Sequence, residues 1–483
     1  MNVRSILKTV AALQLVIVGC MAGCALLALA LGEPEQVAAF LVPAAFVGLL
    51  SATVLAGLRH VAREVLLTRE GFLFVTLSWI SVSLSGSLPF VLSGAIPDYA
   101  DAFFEAMSGF TTTGATILTD IEALPRSILF WRSLMQWLGG MGIVVLTVAI
   151  LPRMGIGGLK VLRSEAPGPT VDKLTPRIAQ TAKILWLLYL GMSALEVALL
   201  MVAGMPPLDA VMHTFSTVAI GGFSPRNDSI GSFQSGWVDL VVIVFMLAAG
   251  VNFSLYFRLG RGGLRVLVSN VEFRVYLAIA AVAVLVVTLT LYGSVYDSVI
   301  DSLRYGAFQV VSILTTTGFT TADYSRWPEF GKAVLMALMF VGGCAGSTAG
   351  GIKVVRIITL FKLAANEMRY LIHPRGVFPT RVTARPLKKD IIHPIVTFFF
   401  LYIAILIVTM LVVAAAGTDL LSSFSTALST VGNIGPGFGA IGPAEHYGHY
   451  PAGVKLFLCL AMLTGRLELY SVVVLLTPAF WRK

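Results

Sequence analysis

Apolar residues in this chain gather into long runs, with polar and charged residues confined to the stretches between them. A hydrocarbon core roughly 30 Å thick takes about twenty apolar residues to cross, and runs of that length recur from Leu13 to Leu476. The pattern predicts ten spanning helices, near 9–31, 37–58, 71–93, 128–150, 182–204, 237–258, 274–293, 332–361, 392–416 and 453–479, the eighth interrupted. Little chain is left for a soluble domain. Between alternate pairs of spans lie short amphipathic stretches that end in glycine-rich turns.

Four of these stretches align without gaps: Phe104–Gly114 (FEAMSGFTTTG), Met212–Gly222 (MHTFSTVAIGG), Phe308–Gly318 (FQVVSILTTTG) and Ser425–Gly435 (STALSTVGNIG). Each has a serine six residues before its last glycine, namely Ser108, Ser216, Ser312 and Ser429. Each also has an apolar residue four before it: Phe110, Val218, Leu314 and Val431. The windows are too short and too polar to span, yet each sits between long apolar helices. That predicts a half-membrane helix followed by an extended return. Non-helical backbone at membrane depth is tolerated only where protein buries it or it lines a watery cavity. Four quasi-equivalent loops therefore imply one central axis. Glycine permits the close backbone approach needed there, and rings of backbone carbonyls are how potassium filters replace a hydration shell. The carboxyl ends of the short helices add partial negative charge towards such an ion. Ordinary glycine-rich turns would explain one window, but not four in register.

Composition narrows the class further. Of 483 residues 57% are hydrophobic and 12% charged, which marks a polytopic membrane protein. The first apolar stretch is long enough to span and no clear cleavage site follows it, so it reads as an uncleaved helix. A net charge of +9 would suggest nucleic acid in a soluble protein. Here most of the 34 Lys and Arg fall on the side of the two termini, which the positive-inside rule places in the cytoplasm. Most of the 25 acidic residues fall outside; this suits a cation entrance, though solvated loops would look the same. Cys20, Cys24, Cys344 and Cys459 lie in apolar segments without metal-site spacing. No dinucleotide fingerprint, Walker motif, HExxH, paired carboxylates or nucleophile motif is present, so the chain does not read as an enzyme.

The four loops, together with WRSLMQWLGGMGIVV (Trp131–Val145), GGCAGSTAGGIKVVR (Gly342–Arg356) and TGRLEL (Thr464–Leu469), resemble the Trk/Ktr/HKT superfamily of potassium transporters, most of all its bacterial Trk-type membrane subunit. The resemblance covers almost the whole chain. It implies an all-α membrane protein with two extra amino-terminal helices (1–66) and four helix, pore-loop, helix repeats (67–155, 176–262, 270–370 and 388–483) around one pore. It also implies a homodimer in the bacterial inner membrane, with K+ as the transported ion and no organic cofactor in this chain. The carried-over filter, whose carbonyls would bind the metal ion, comprises Thr111, Thr112, Thr113 and Gly114; Ala219, Ile220, Gly221 and Gly222; Thr315, Thr316, Thr317 and Gly318; and Gly432, Asn433, Ile434 and Gly435. In this superfamily a serine in place of the first loop's glycine goes with sodium transport, so Gly114 implies K+ selectivity. The second and fourth loops depart from TTTG, and their side chains cannot form an equivalent ring.

Gly342–Gly351 holds five glycines in ten residues, a composition that disfavours a stiff helix. The resemblance makes this segment a gate below the filter, with Gly342, Gly343, Gly346, Ser347, Gly350 and Gly351 as its flexible positions; tight packing of small residues is the alternative. Arg466 lies within an apolar span, where a charge costs at least about 2.5–3.5 kcal/mol and so must face protein or water. The resemblance places it by the pore, while pairing with Glu468, Glu196 or loop carbonyls is the structural alternative. The basic loop Lys353–Ile391 suits an anchor at anionic membrane lipid. By resemblance it is also the docking surface for a cytosolic ring of nucleotide-binding, TrkA-like regulatory subunits. The rival reading is a K+ symporter coupled to H+ or Na+, for which Glu196 is the isolated candidate acid.

Overall fold

The computed structural model describes residues 2–61, 68–145, 178–380, 382, 387 and 389–482. Among them there is no strand beyond one isolated Tyr292–Tyr296 bridge. Six helices are long and apolar enough to cross a membrane, or eight if each of two sharply bent pairs is one span. Part of the expected fourth span, the segment after it and part of the basic loop before residue 391 lie outside the described residues.

The two amino-terminal helices, α1 (Val3–Ala30) and α2 (Val37–Gly57), pack on each other, and α1 packs on α3 (Thr68–Gly86). In each of the first two only 33% of the spanning window is buried, against 61% for the third span. The pair therefore stands at the periphery, with Leu26, Phe46 and Leu49 on its exposed apolar face.

Each of the four windows forms a short helix as expected: α4 (Tyr99–Phe110), α7 (Pro207–Ala219), α11 (Val299–Leu314) and α15 (Leu420–Gly432). Their starts are encoded locally. Asp98, Ser298 and Asp419 cap α4, α11 and α15 by accepting backbone amides, and Pro207 opens α7, where a missing N–H costs nothing. The longer helices around them are α5 (Arg126–Val145), α6 (Ile178–Val202), α8 (Gly236–Ala249), α9 (Phe253–Gly262) and α10 (Val271–Leu291). They continue with α12 (Glu329–Leu338), α13 (Val354–Ile372), α14 (Lys389–Ala414), α16 (Ala452–Arg466) and α17 (Tyr470–Val473).

The short helices are handed on in a circle. Helix α4 packs on α16, α7 on α5 and α11 on α8, so each leans on the long helix that precedes it around the ring. The circle closes where Phe424 of α15 meets Phe340, just beyond α12, with ring centroids 6.3 Å apart.

The stretch expected as an interrupted eighth span is broken between α12 and α13. Two other spans expected to be continuous are broken. Helices α8 and α9 meet at 92°, and the break after Arg466 turns the chain by 118°. At the second break Glu468 and Leu469 both take positive φ, of 60° and 58°. Both breaks face the stretch between α12 and α13.

Candidate ion pathway

All four short helices end in the same way. The amide two residues before the last glycine bonds back three residues, to Gly109, Thr217, Ile313 and Thr430. The next amide bonds to the carbonyl of the aligned serine: Thr113 to Ser108, Gly221 to Ser216, Thr317 to Ser312 and Ile434 to Ser429. This is the Schellman closure of a helix, which requires a left-handed residue. That residue is not glycine in any loop: Thr112, Ile220, Thr316 and Asn433 have φ of 51°, 56°, 65° and 54°. Left-handed backbone at a β-branched residue costs on the order of 1–3 kcal/mol and clusters where function demands it.

One step further on, Gly114, Gly222, Gly318 and Gly435 have φ of 78°, 79°, 85° and 95°. They form a closed ring. A Cβ on Gly114 would strike the carbonyl oxygen of Gly221; one on Gly222, that of Thr317; one on Gly318, that of Ile434; and one on Gly435 would stand 2.7 Å from that of Thr113. Each glycine thus admits the backbone of the next repeat, and the fourth returns to the first.

The loops are braced unequally. Thr111 and Thr113 hydroxyls lie 2.8 Å apart, as do those of Thr315 and Thr317. In the second loop Gln136 substitutes for them: its Nε2 donates to Gly221 O at 2.7 Å, and its Oε1 accepts from Phe223 N at 3.0 Å. In the fourth, Asn433 Nδ2 donates to Thr113 Oγ1 and to Met462 O, both at 2.9 Å. Gly435 O accepts from Ser429 Oγ at 2.5 Å and from Tyr447 OH at 2.6 Å. Two hydroxyls thus hold that carbonyl in place.

Beyond the ring the return limbs enclose a cavity of about 420 Å³. All four glycines line it, with Asp228, Asp323, Glu445 and His446 among the surrounding residues. On the other side of the ring lies the glycine-rich segment between α12 and α13. Its Thr348 hydroxyl donates to Val218 O at 3.1 Å, Gly350 N donates to Thr316 Oγ1 at 2.7 Å, and Gly351 N donates to Gly432 O at 3.0 Å. It is therefore bonded to three of the four loops, through residues that precede their glycines.

The two broken spans hold this segment. Gly250 O at the first break accepts from Cys344 N at 2.8 Å, and Phe253 N donates to Gly346 O at 3.2 Å. At the second break Arg466 Nη1 donates to Thr348 O at 2.7 Å and Nη2 to Gly139 O at 3.3 Å. Arg466 is 3% exposed, and of the structural partners expected for it these contacts are the carbonyls, not Glu468 or Glu196. Glu468 pairs instead with Arg356, at 2.5 Å. Glu272, at the start of α10, accepts from Ala345 N at 2.7 Å and from Val355 N at 3.3 Å, gripping both ends of the segment.

The family profile described as TrkH, cation transport protein, matches residues 41–483. The chain belongs to this family. It is 44% identical over 421 residues to the Trk system potassium uptake protein TrkH of Salmonella typhimurium, covering 86% of each chain. To the protein of the same name from Vibrio parahaemolyticus it is 44% identical over 431 residues, 88% of each. The Trk system potassium uptake protein TrkG of Escherichia coli is 38% identical over 418 residues, 86% of each. The crystal structure of the potassium transporter TrkH from Vibrio parahaemolyticus superposes with a TM-score of 0.90 at 39% identity, over 100% of both chains.

The structure brings the predicted loop residues of all four repeats together and sets the predicted gate segment and Arg466 against them. Sequence reasoning missed Gln136, Tyr447 and Glu272. A signal for Gln136 existed: it lies within a quoted motif, and the second loop lacks the threonines that brace the first and third.

Proposed function

We propose that this chain is the membrane subunit of a bacterial potassium-uptake system, and that K+ crosses it through a single pore whose filter is built from the four loops. The observation that carries this reading is the closed ring of Gly114, Gly222, Gly318 and Gly435, each admitting the backbone of the next repeat. Relatives named as potassium uptake proteins support the choice of ion. Carbonyls of Thr111–Gly114, Ala219–Gly222, Thr315–Gly318 and Gly432–Gly435 replace the hydration shell of K+, while the helix carboxyl ends add negative potential. The outer cavity gathers the cation. The Gly342–Gly351 segment and Arg466 obstruct the path on the other side and act as its gate.

In this reading the chain carries ten spans with both termini cytoplasmic and works as a homodimer in the inner membrane. Its basic loop meets anionic lipid and a cytosolic nucleotide-binding ring that sets the gate. Symport of K+ with H+ or Na+ is the weaker reading, because four parallel repeats meeting at one ring suit a continuous pore better than alternating access. Growth of a potassium-uptake-deficient bacterium at low external K+ tests the proposal. The wild-type chain should restore growth and Gly114→Ser should not; equal growth with both would refute the filter.

A further inference from the structure

The second residue of every aligned window is polar: Glu105, His213, Gln309 and Thr426, each nine positions before its ring glycine. All four are 0% exposed. Polar groups buried this deeply are generally retained where they find partners; each of these finds at least one beyond the ring, while Gln309 Oε1 has none. Glu105 Oε1 accepts from Thr116 Oγ1 and its Oε2 from Ile117 N, both at 3.0 Å. His213 Nε2 lies 3.0 Å from Ser224 Oγ. Gln309 Nε2 donates to Thr321 Oγ1 at 3.4 Å, and Thr426 Oγ1 lies 2.8 Å from Tyr450 OH.

The connection runs from the short helix to the chain two or three residues past the glycine in the first three repeats, and in the fourth to Tyr450, fifteen residues past Gly435 and just before α16. The first two share a joint. Arg132 bonds Glu105 Oε1 through Nη2 at 2.7 Å and Nε at 2.9 Å, donates Nη1 to Ser224 O at 3.2 Å, and lies 4.1 Å from the Phe223 ring centroid. The limb from Gly114 to Leu118 has no regular secondary structure of its own. A limb without a ladder takes its position from such side-chain bonds.

We propose that this position is a set of struts that fixes the return limbs, and through them the width of the carbonyl ring. These are positioning residues: they discriminate among alkali cations without touching one. The inference rests on the reading of the loops as a K+ filter. A limb released at one corner lets the ring adapt to a smaller ion, so discrimination falls before conduction does.

The test uses the purified full-length chain in lipid vesicles, with K+ and Na+ fluxes measured separately. Thr426→Val and Gln309→Leu remove the polar atoms at nearly constant volume and leave no unpaired charge. Each should lower the K+ over Na+ flux ratio about three- to tenfold, the effect of losing one buried hydrogen bond. The K+ flux itself should change much less, and Thr426→Ser should restore the ratio. Fluxes that fall together at an unchanged ratio would overturn the proposal, and if Gln309→Leu does not fold, Thr426→Val decides alone. Gly114→Ser, measured alongside, separates the two levels. A ratio that moves there but not in the strut variants rejects the struts alone; a ratio that moves in none of them removes the filter reading as well.

Discussion

Arg466 is tied through Nη1 to the carbonyl oxygen of Thr348 at 2.7 Å, so the charge at the end of α16 is held by the glycine-rich segment between α12 and α13. A charged donor on a buried carbonyl stabilises that arrangement by about 1.5–3 kcal/mol. Arg466→Gln should therefore loosen the closed segment and also remove a positive charge from the path of a cation. K+ flux into vesicles should rise about tenfold or more. A lower flux at equal membrane content would assign Arg466 a purely structural role.

The ring predicts an order among alanine substitutions. A Cβ at Gly435 would stand 2.7 Å from Thr113 O, whereas at Gly114, Gly222 and Gly318 it would overlap the neighbouring oxygen more deeply. Gly435→Ala should be the mildest of the four in K+ uptake. The other three should each reduce uptake about a hundredfold or abolish it, since backbone cannot give way as a side-chain tip can. An equal effect at all four would contradict the ring closure.

The segment's grip on the loops is open to a gentler probe. Thr348→Val keeps the shape of the side chain and removes the bond to Val218 O. Flux should increase about threefold, in line with one hydrogen bond. Deleting residues 346–350 should raise it further; unchanged flux in a folded deletion variant would refute the gate.

Much of this arrangement is legible in the chain because its physical demands are local. A left-handed turn, a close approach at glycine and a serine carbonyl in fixed register recur at the same spacing, so the windows reveal themselves by alignment. The breaks at 92° and 118° are not local. Gly250 and Asn252 sit in an apolar stretch long enough to span, and the bend appears only once Cys344 N and Gly346 O are there to bond it. The Glu105–Arg132 pair is hidden for a similar reason. The residues are separated by 27 positions and meet only when the loop folds back. Even the position they share with His213, Gln309 and Thr426 is conspicuous only when its burial is known.

The fourth loop carries a pH signature. Asp419, the cap of α15, is held below the usual carboxylate range by hydrogen bonds from the Ser422 side chain and amide. A depressed pKa contributes stability that is present above the ordinary range and is lost as pH falls through the folded value. Thermal stability of the wild type in detergent should therefore drop on acidification more steeply than that of Asp419→Asn. Parallel curves would mean that the cap carries no charge-dependent stability. The cap itself is worth about 1 kcal/mol.

In the proposed pore an ion sits at the centre of four backbones. Anomalous scattering from a crystal soaked in Rb+, a K+ congener, locates such an ion directly. A peak on the axis among Gly114, Gly222, Gly318 and Ile434, at carbonyl coordination distance from all four loops, is the predicted result. Peaks confined to the outer cavity or to other surfaces, with an empty ring, would contradict it.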